Sequence, residues 1–197
     1  VLYFVPLGQN LEVWRLRVKN LRNTPAKLNT FGSIEFCLWD ANDDATNFQR
    51  NYNVGEVEIV DNVIYHKTEY RERRNHFAYF TSSAPMKAFD TQRENFLGVF
   101  NGYDAPQAVA RGECYNSHAH GWAPVGVIQS ELDLKPGEER EIIFLLGYTE
   151  NPQSEKFETP GKQIINKTRA LPVIQRFTQS GEVQAALDTL QKYWDSL

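Results

Sequence analysis

Residues 125–146, VGVIQSELDLKPGEEREIIFLL, decide how this chain folds. Val125 and Val127 begin a strand that Leu132 and Leu134 continue. Lys135-Pro136-Gly137-Glu138 is a turn, and Ile142, Phe144 and Leu146 form the return strand. The same period of two recurs upstream. Leu11, Val13, Leu16 and Val18 alternate with charged residues, and a phase slip near Trp14 predicts a bulge. Ile34, Phe36 and Leu38 alternate with Glu35, Cys37 and Trp39, and Val57 and Ile59 with Glu56 and Glu58. Asp61-Asn62 separates two β-branched runs, which predicts a hairpin. Alternation with one polar face implies antiparallel strands. Several such strands, with no helical pattern between them, predict a mainly β sandwich over residues 1–150.

The pattern changes after Tyr148. Asn151-Pro152 and Thr159-Pro160-Gly161 mark a linker-like stretch. Ile164, Ile165, Leu171, Ile174 and Phe177 approach helical spacing, and Pro172 among them predicts a break or kink. Ser180-Gly181-Glu182 starts a helix whose Val183, Ala186, Leu187, Leu190, Tyr193, Trp194 and Leu197 form an apolar face. Such a face must bury against something.

A net charge of −4 argues against a nucleic-acid or anionic-membrane partner. No apolar run is long enough for a bilayer-spanning helix. Cys37 and Cys114 form no CxxC pair and read as free thiols of a reducing compartment. No signal-peptide pattern is visible, so a cytoplasmic location is expected. The start VLYFVPLG lacks a Met and reads as internal to something longer. Asn166-Lys167-Thr168 matches a glycosylation sequon, which carries little weight without a secretory signal.

Three runs mix aromatics with carboxylates, amides and arginines: 36–51, 65–80 and 96–109. Such a mixture suits sugar binding or tight contact with a second domain. In the first, Asp40, Asn42 and Asp44 suggest calcium, but Ala45 stands where the loop needs Gly and Asn51 where it needs Glu. Asn42, Thr46, Asn47 and Arg50 beside Trp39, Phe48 and Tyr52 suit sugar hydroxyls. By residue type, an ordered loop held by Asx-type bonds is favoured over both. In the second run Lys67, Arg71, Arg73 and Arg74 suggest an anion cluster. Glu69 and Glu72 among them favour an ion-pair network. His118 and His120 share a strand face, yet no Cys or carboxylate pattern completes a metal site. Asp90 and Asp104 form no spaced acid/base pair, and Ser117 lies in no GxSxG elbow. No catalytic residue and no metal ligand is assigned.

An ordered set of motifs spans the chain: Phe4-Val5-Pro6-Leu7-Gly8, Glu72-Arg73-Arg74-Asn75-His76, residues 101–106 (NGYDAP), Gly121-Trp122-Ala123-Pro124, Gly147-Tyr148 and Tyr193-Trp194-Asp195. With them the chain resembles the cellobiose phosphorylase family of inverting glycoside phosphorylases. The nearest pattern is that of cellobiose phosphorylases themselves. Cellodextrin and chitobiose phosphorylases and cyclic β-glucan synthases share the layout. The resemblance implies a large antiparallel β-sandwich (a supersandwich, galactose-mutarotase-like) followed by a C-terminal helical linker. Residues 1–150 would be the later part of that sandwich. Residues 151–197 would lead to an absent (α/α)6 catalytic barrel, the chain's own partner domain. It further implies a homodimer and an enzyme that converts cellobiose and phosphate into α-glucose 1-phosphate and glucose. Inorganic phosphate would be a co-substrate, and no cofactor is expected. Asp40, Asn42, Thr46, Asn47 and Arg50 would border the acceptor-sugar entrance of a neighbouring subunit. A free-standing carbohydrate-binding or interaction sandwich is the alternative.

Overall fold

The run Ile142-Ile143-Phe144-Leu145 has no polar face, because its side chains point alternately into two buried layers. The computed structural model describes residues 1–36, 55–68, 75–121 and 124–197, with the backbone alone at positions 55, 68, 120 and 121. Among the described residues the strands are β1 (Leu2–Phe4), β2 (Leu11–Lys19), β3 (Ala26–Glu35), β4 (Gly55–Val60) and β5 (Val63–Thr68). They continue with β6 (His76–Ser82), β7 (Ala88–Gln92), β8 (His120–Gly121), β9 (Pro124–Leu134) and β10 (Glu139–Glu150). A larger sheet has the order β1-β2-β10-β6-β5-β4-β8, a smaller one β3-β9-β7, and both are antiparallel. The chain is therefore a mainly β antiparallel sandwich, as its alternation predicts.

The turn at 135–138 forms as expected. Pro136 leads into Gly137 at φ 73°, and the Glu138 N–H donates to the Lys135 carbonyl at 3.0 Å. The strands it joins do not pair with each other: β9 lies in the small sheet and β10 in the large one. The turn thus carries the chain between layers. A buried Asn20 ties down this corner and the nearby β2–β3 crossing. Its amide donates to the carbonyls of Thr24, Leu134 and Lys135, and its Oδ1 accepts from the Arg22 N–H.

The expected bulge near Trp14 is absent. β2 runs in unbroken register with β10, from Leu11↔Gly147 to Lys19↔Glu139. The phase slip arises because both faces of β2 are covered. Leu11 and Val13 pack with Phe4, Ile143, Leu145, Phe177 and Val183 on the outer side. Trp14 and Leu16 pack against the cluster of Ile128, Phe80 and Phe144 between the sheets. The hairpin at Asp61-Asn62 is present, with Val60 paired to Val63 and Asp61 at φ 54°.

Two short helices interrupt the strands where no helical pattern was expected: α1 (Arg93–Leu97) and α2 (Gln107–Arg111). Five residues are too few to display a 3.6-residue period. They bury Phe96, Leu97 and Ala108 with Cys114, Val125 and Val127 on the outside of the small sheet. Beyond β10 come a single 3-10 turn (Gln153–Glu155), α3 (Ala170–Phe177) and α4 (Ser180–Asp195). Pro172 does not kink α3. It is the third residue, in the first turn, where no intrahelical N–H bond is due. Ile165 lies outside the helix, bridged to Phe157. Val183, with Ala186, Leu187 and Leu190, packs α4 onto the large sheet, while Tyr193, Trp194 and Leu197 stay exposed.

Candidate functional site

Strand register brings the ends of several elements to one end of the sandwich. Glu35 pairs with Val125, Gly55 with both Thr68 and Gly121, and Gln92 with Pro124. Phe36 joins the two sheets there. Its N–H donates to the Pro124 carbonyl at 3.4 Å, and its ring stacks on His66 of β5 with centroids 4.6 Å apart. Asp40, Asn42, Thr46, Asn47 and Arg50, expected at a sugar entrance, lie outside the described residues, as do Arg71, Arg73 and Arg74. The described residues that precede and follow them, Phe36, Gly55, Thr68 and Asn75, all belong to this end.

The polar side chains of Arg93, Gln92 and Lys67 are engaged with partners within the chain. Arg93 Nε donates to Glu35 at 2.7 Å, and Gln92 Nε2 donates to the His118 carbonyl at 2.9 Å. Lys67, from the run whose mixed charges favour an ion-pair network, is buried. Its Nζ contacts Glu56 at 2.9 Å, donates to the Gln163 carbonyl at 2.7 Å and sits over the Phe157 ring. For Lys67 the ion-pair reading therefore holds. His66 is buried with no partner at Nε2, and burial pulls its pKa down to about 3, so it is neutral at ordinary pH. The His118 ring stands edge-on to Phe89. Among the described residues no group of three or more His, Cys, Asp or Glu is placed to hold a metal.

One polar cluster escaped the sequence reading. Asp90 is fully buried on β7 and is met by the Ser117 hydroxyl at 2.8 Å, the Ser117 N–H at 3.1 Å and the Tyr115 N–H at 3.1 Å. The pairing of a serine with a carboxylate invites comparison with a hydrolase. However, Ser117 Oγ also accepts from the N–H groups of Thr91 and Gln92, and the nearby His118 ring is engaged with Phe89. With its hydroxyl held by the buried Asp90 carboxylate and no histidine on it, this serine anchors the loop 112–121 to β7. Cys114 lies in the same layer, and burial with Asp90 beside it pushes its thiol pKa far up, which leaves it unreactive. Asp90 and Ser117 are 27 residues apart, so only the fold joins them.

The third run, 96–109, divides. Phe96 and Leu97 are core, whereas Phe100, 98% exposed, and Tyr103 face solvent.

Comparison with known proteins places this architecture. N,N'-diacetylchitobiose phosphorylase of Vibrio furnissii is 27% identical over 193 residues, covering 98% of this chain and 22% of that protein. The phosphorylase of the same name from Vibrio proteolyticus is 25% identical over 196 residues, with the same coverage. Solabiose phosphorylase of Paenibacillus borealis is 25% identical over 193 residues, covering 93% of this chain and 25% of that protein. The chain thus spans about a fifth to a quarter of the length of these relatives. Residues 1–180 match the family described as glycosyl hydrolase 94, supersandwich domain, and the chain belongs to that family.

Proposed function

We propose that this chain is the non-catalytic supersandwich region of an inverting disaccharide phosphorylase. The observation that carries this reading is the family match over residues 1–180, together with phosphorylases that align along nearly the whole chain. The parent enzyme would cleave a β-linked disaccharide with inorganic phosphate. A phosphate oxygen bonds to the anomeric carbon as the glycosidic C–O bond breaks. An acid outside this chain gives its proton to the leaving sugar oxygen. Cellobiose is the substrate that the motif resemblance suggests, and N,N'-diacetylchitobiose is the one that the two Vibrio relatives suggest. In this reading residues 151–197 lead to the catalytic barrel and the enzyme is a cytoplasmic homodimer. Asp40, Asn42, Thr46, Asn47 and Arg50 border the acceptor-sugar entrance of the neighbouring subunit.

The test is release of sugar 1-phosphate from cellobiose, and separately from N,N'-diacetylchitobiose, with phosphate, on the full-length parent and on this chain. Activity in the parent only supports the reading, and the better substrate names the specificity. Activity in this chain would place catalytic groups within it and overturn the assignment. Silence of the parent with every disaccharide favours a binding sandwich. Replacing Asn47 with Ala in the parent should raise the acceptor KM in the synthetic direction. Unchanged acceptor kinetics would remove Asn47 from the entrance.

A further inference from the structure

We propose that residues 151–169 form a strap latched to the outer face of the large sheet by the Glu58–Lys167 pair, and that this latch sets where α3 and α4 sit. Glu58 projects from β4 on the side of its cross-strand neighbour Tyr65, away from the small sheet. Its two oxygens do different work. Oε2 accepts from Lys167 Nζ at 2.7 Å, and Oε1 accepts from the Ile165 N–H at 2.8 Å. Lys167 is buried, and its Nζ also donates to the Ile165 carbonyl at 2.9 Å and lies 3.5 Å from Glu158 Oε1. The backbone of the same residue starts the helix: its carbonyl accepts from the N–H groups of Ala170 and Leu171, both at 3.0 Å. One residue therefore joins the ion pair on the sheet to the first turn of α3.

A second fastening lies beside it. Lys67 Nζ donates to the Gln163 carbonyl, and Phe157 lies beneath the Lys67 and Lys156 ammonium groups. A third closes the far end, where Asn75 donates to the Asn151 carbonyl and Asn151 to the Asn166 carbonyl. Apolar cover over the latch is thin, with Ile165, Ala170 and Ile174 against Val63, Tyr65, Phe77 and Tyr79. The polar contacts thus supply the register and the apolar ones the adhesion. Removing the Glu58 charge leaves the buried Lys167 ammonium, among the described residues, only the longer ion pair with the half-exposed Glu158, whereas the inter-sheet core lies on the opposite face and is not touched.

The experiment is hydrogen exchange on the whole chain, comparing wild type with Glu58→Gln and Lys167→Met. Glu58→Gln keeps an amide oxygen for the Ile165 N–H but sets its NH2 group, which cannot accept, where Oε2 met Lys167. Amides of residues 157–177 should exchange at least about tenfold faster in both variants, while those of β3, β9 and β10 keep wild-type rates. Three results overturn the proposal. One is a strap that exchanges at wild-type rates. Another is a strap that loosens while α3 keeps its protection. The last is a global effect, with strands and strap accelerated alike or neither variant folding.

Discussion

At the scale of single residues, two glycines and a histidine carry tight constraints. A Cβ on Gly147 would lie 2.0 Å from Cζ of the buried Tyr79, and one on Gly32 would lie 2.4 Å from the Phe144 ring. Gly147 makes room for Tyr79 of the paired strand β6, and Gly32 for Phe144, which reaches across from the large sheet to the small one. Gly147→Ala is predicted to lower unfolding free energy by about 2–3 kcal/mol, read from urea midpoints. A second change, Tyr79→Leu, should recover part of that loss. Absence of any recovery would show that the clash lies elsewhere. His66 makes stability depend on pH. Its folded pKa of about 3 lies below the ordinary 6.5, so between these values the unfolded chain binds a proton that the folded chain refuses. The contribution is intact above pH 6.5 and falls away as the pH drops, by about 2 kcal/mol near pH 5. His66→Leu should flatten the decline between pH 7.5 and pH 5. Parallel declines in the two proteins would assign the effect to other groups.

At the scale of elements, the inter-sheet corners depend on a side chain whose importance is invisible in local sequence. Asn20 precedes Leu21, Arg22, Asn23 and Thr24 in what reads as an ordinary polar loop. In the fold its amide serves carbonyls 114 and 115 residues away. Asn20→Ala leaves those buried carbonyls without donors and is predicted to cost about 2–3 kcal/mol in chemical denaturation. Asn20→Asp should cost at least as much, since it cannot donate. Equal stability of all three proteins would mean that water replaces the amide. Strands were legible here because their alternation is local. Pairing was not, because the turn at 135–138 has the same sequence whether its strands pair or part into separate layers.

At the scale of the whole molecule, four layers stack: α3 and α4 with the strap, the large sheet, the small sheet, and α1 with α2. Val183 is the deepest contact of α4, fully buried against Phe4, Leu11 and Val13. Arg15 reinforces it by donating to Gln184 at 2.5 Å and to Glu141 at 2.6 Å. Val183→Asp would bury a carboxylate in this apolar layer and is predicted to lower stability by about 3 kcal/mol or more. The expected signature is loss of helical circular dichroism at a lower temperature than loss of the strand signal. A single transition with an unchanged midpoint would show that α4 contributes little to the layer.

The candidate sugar entrance was legible only as composition. The residues named for it, Asp40 to Arg50, follow no strand or helix period, so their types suggested a chemistry without a position. Sequence alone determined the mainly β class, the hairpin at Asp61-Asn62, the turn at Pro136-Gly137 and the helix from Ser180, because each rests on contacts or torsions within a few residues. Tertiary structure alone decided which strands share a sheet and why β2 needs no bulge. It also decided that Asp90 meets Ser117 and that Glu58 holds Lys167, 109 residues away. Those contacts depend on burial and on layers from distant parts of the chain, which local periodicity does not encode.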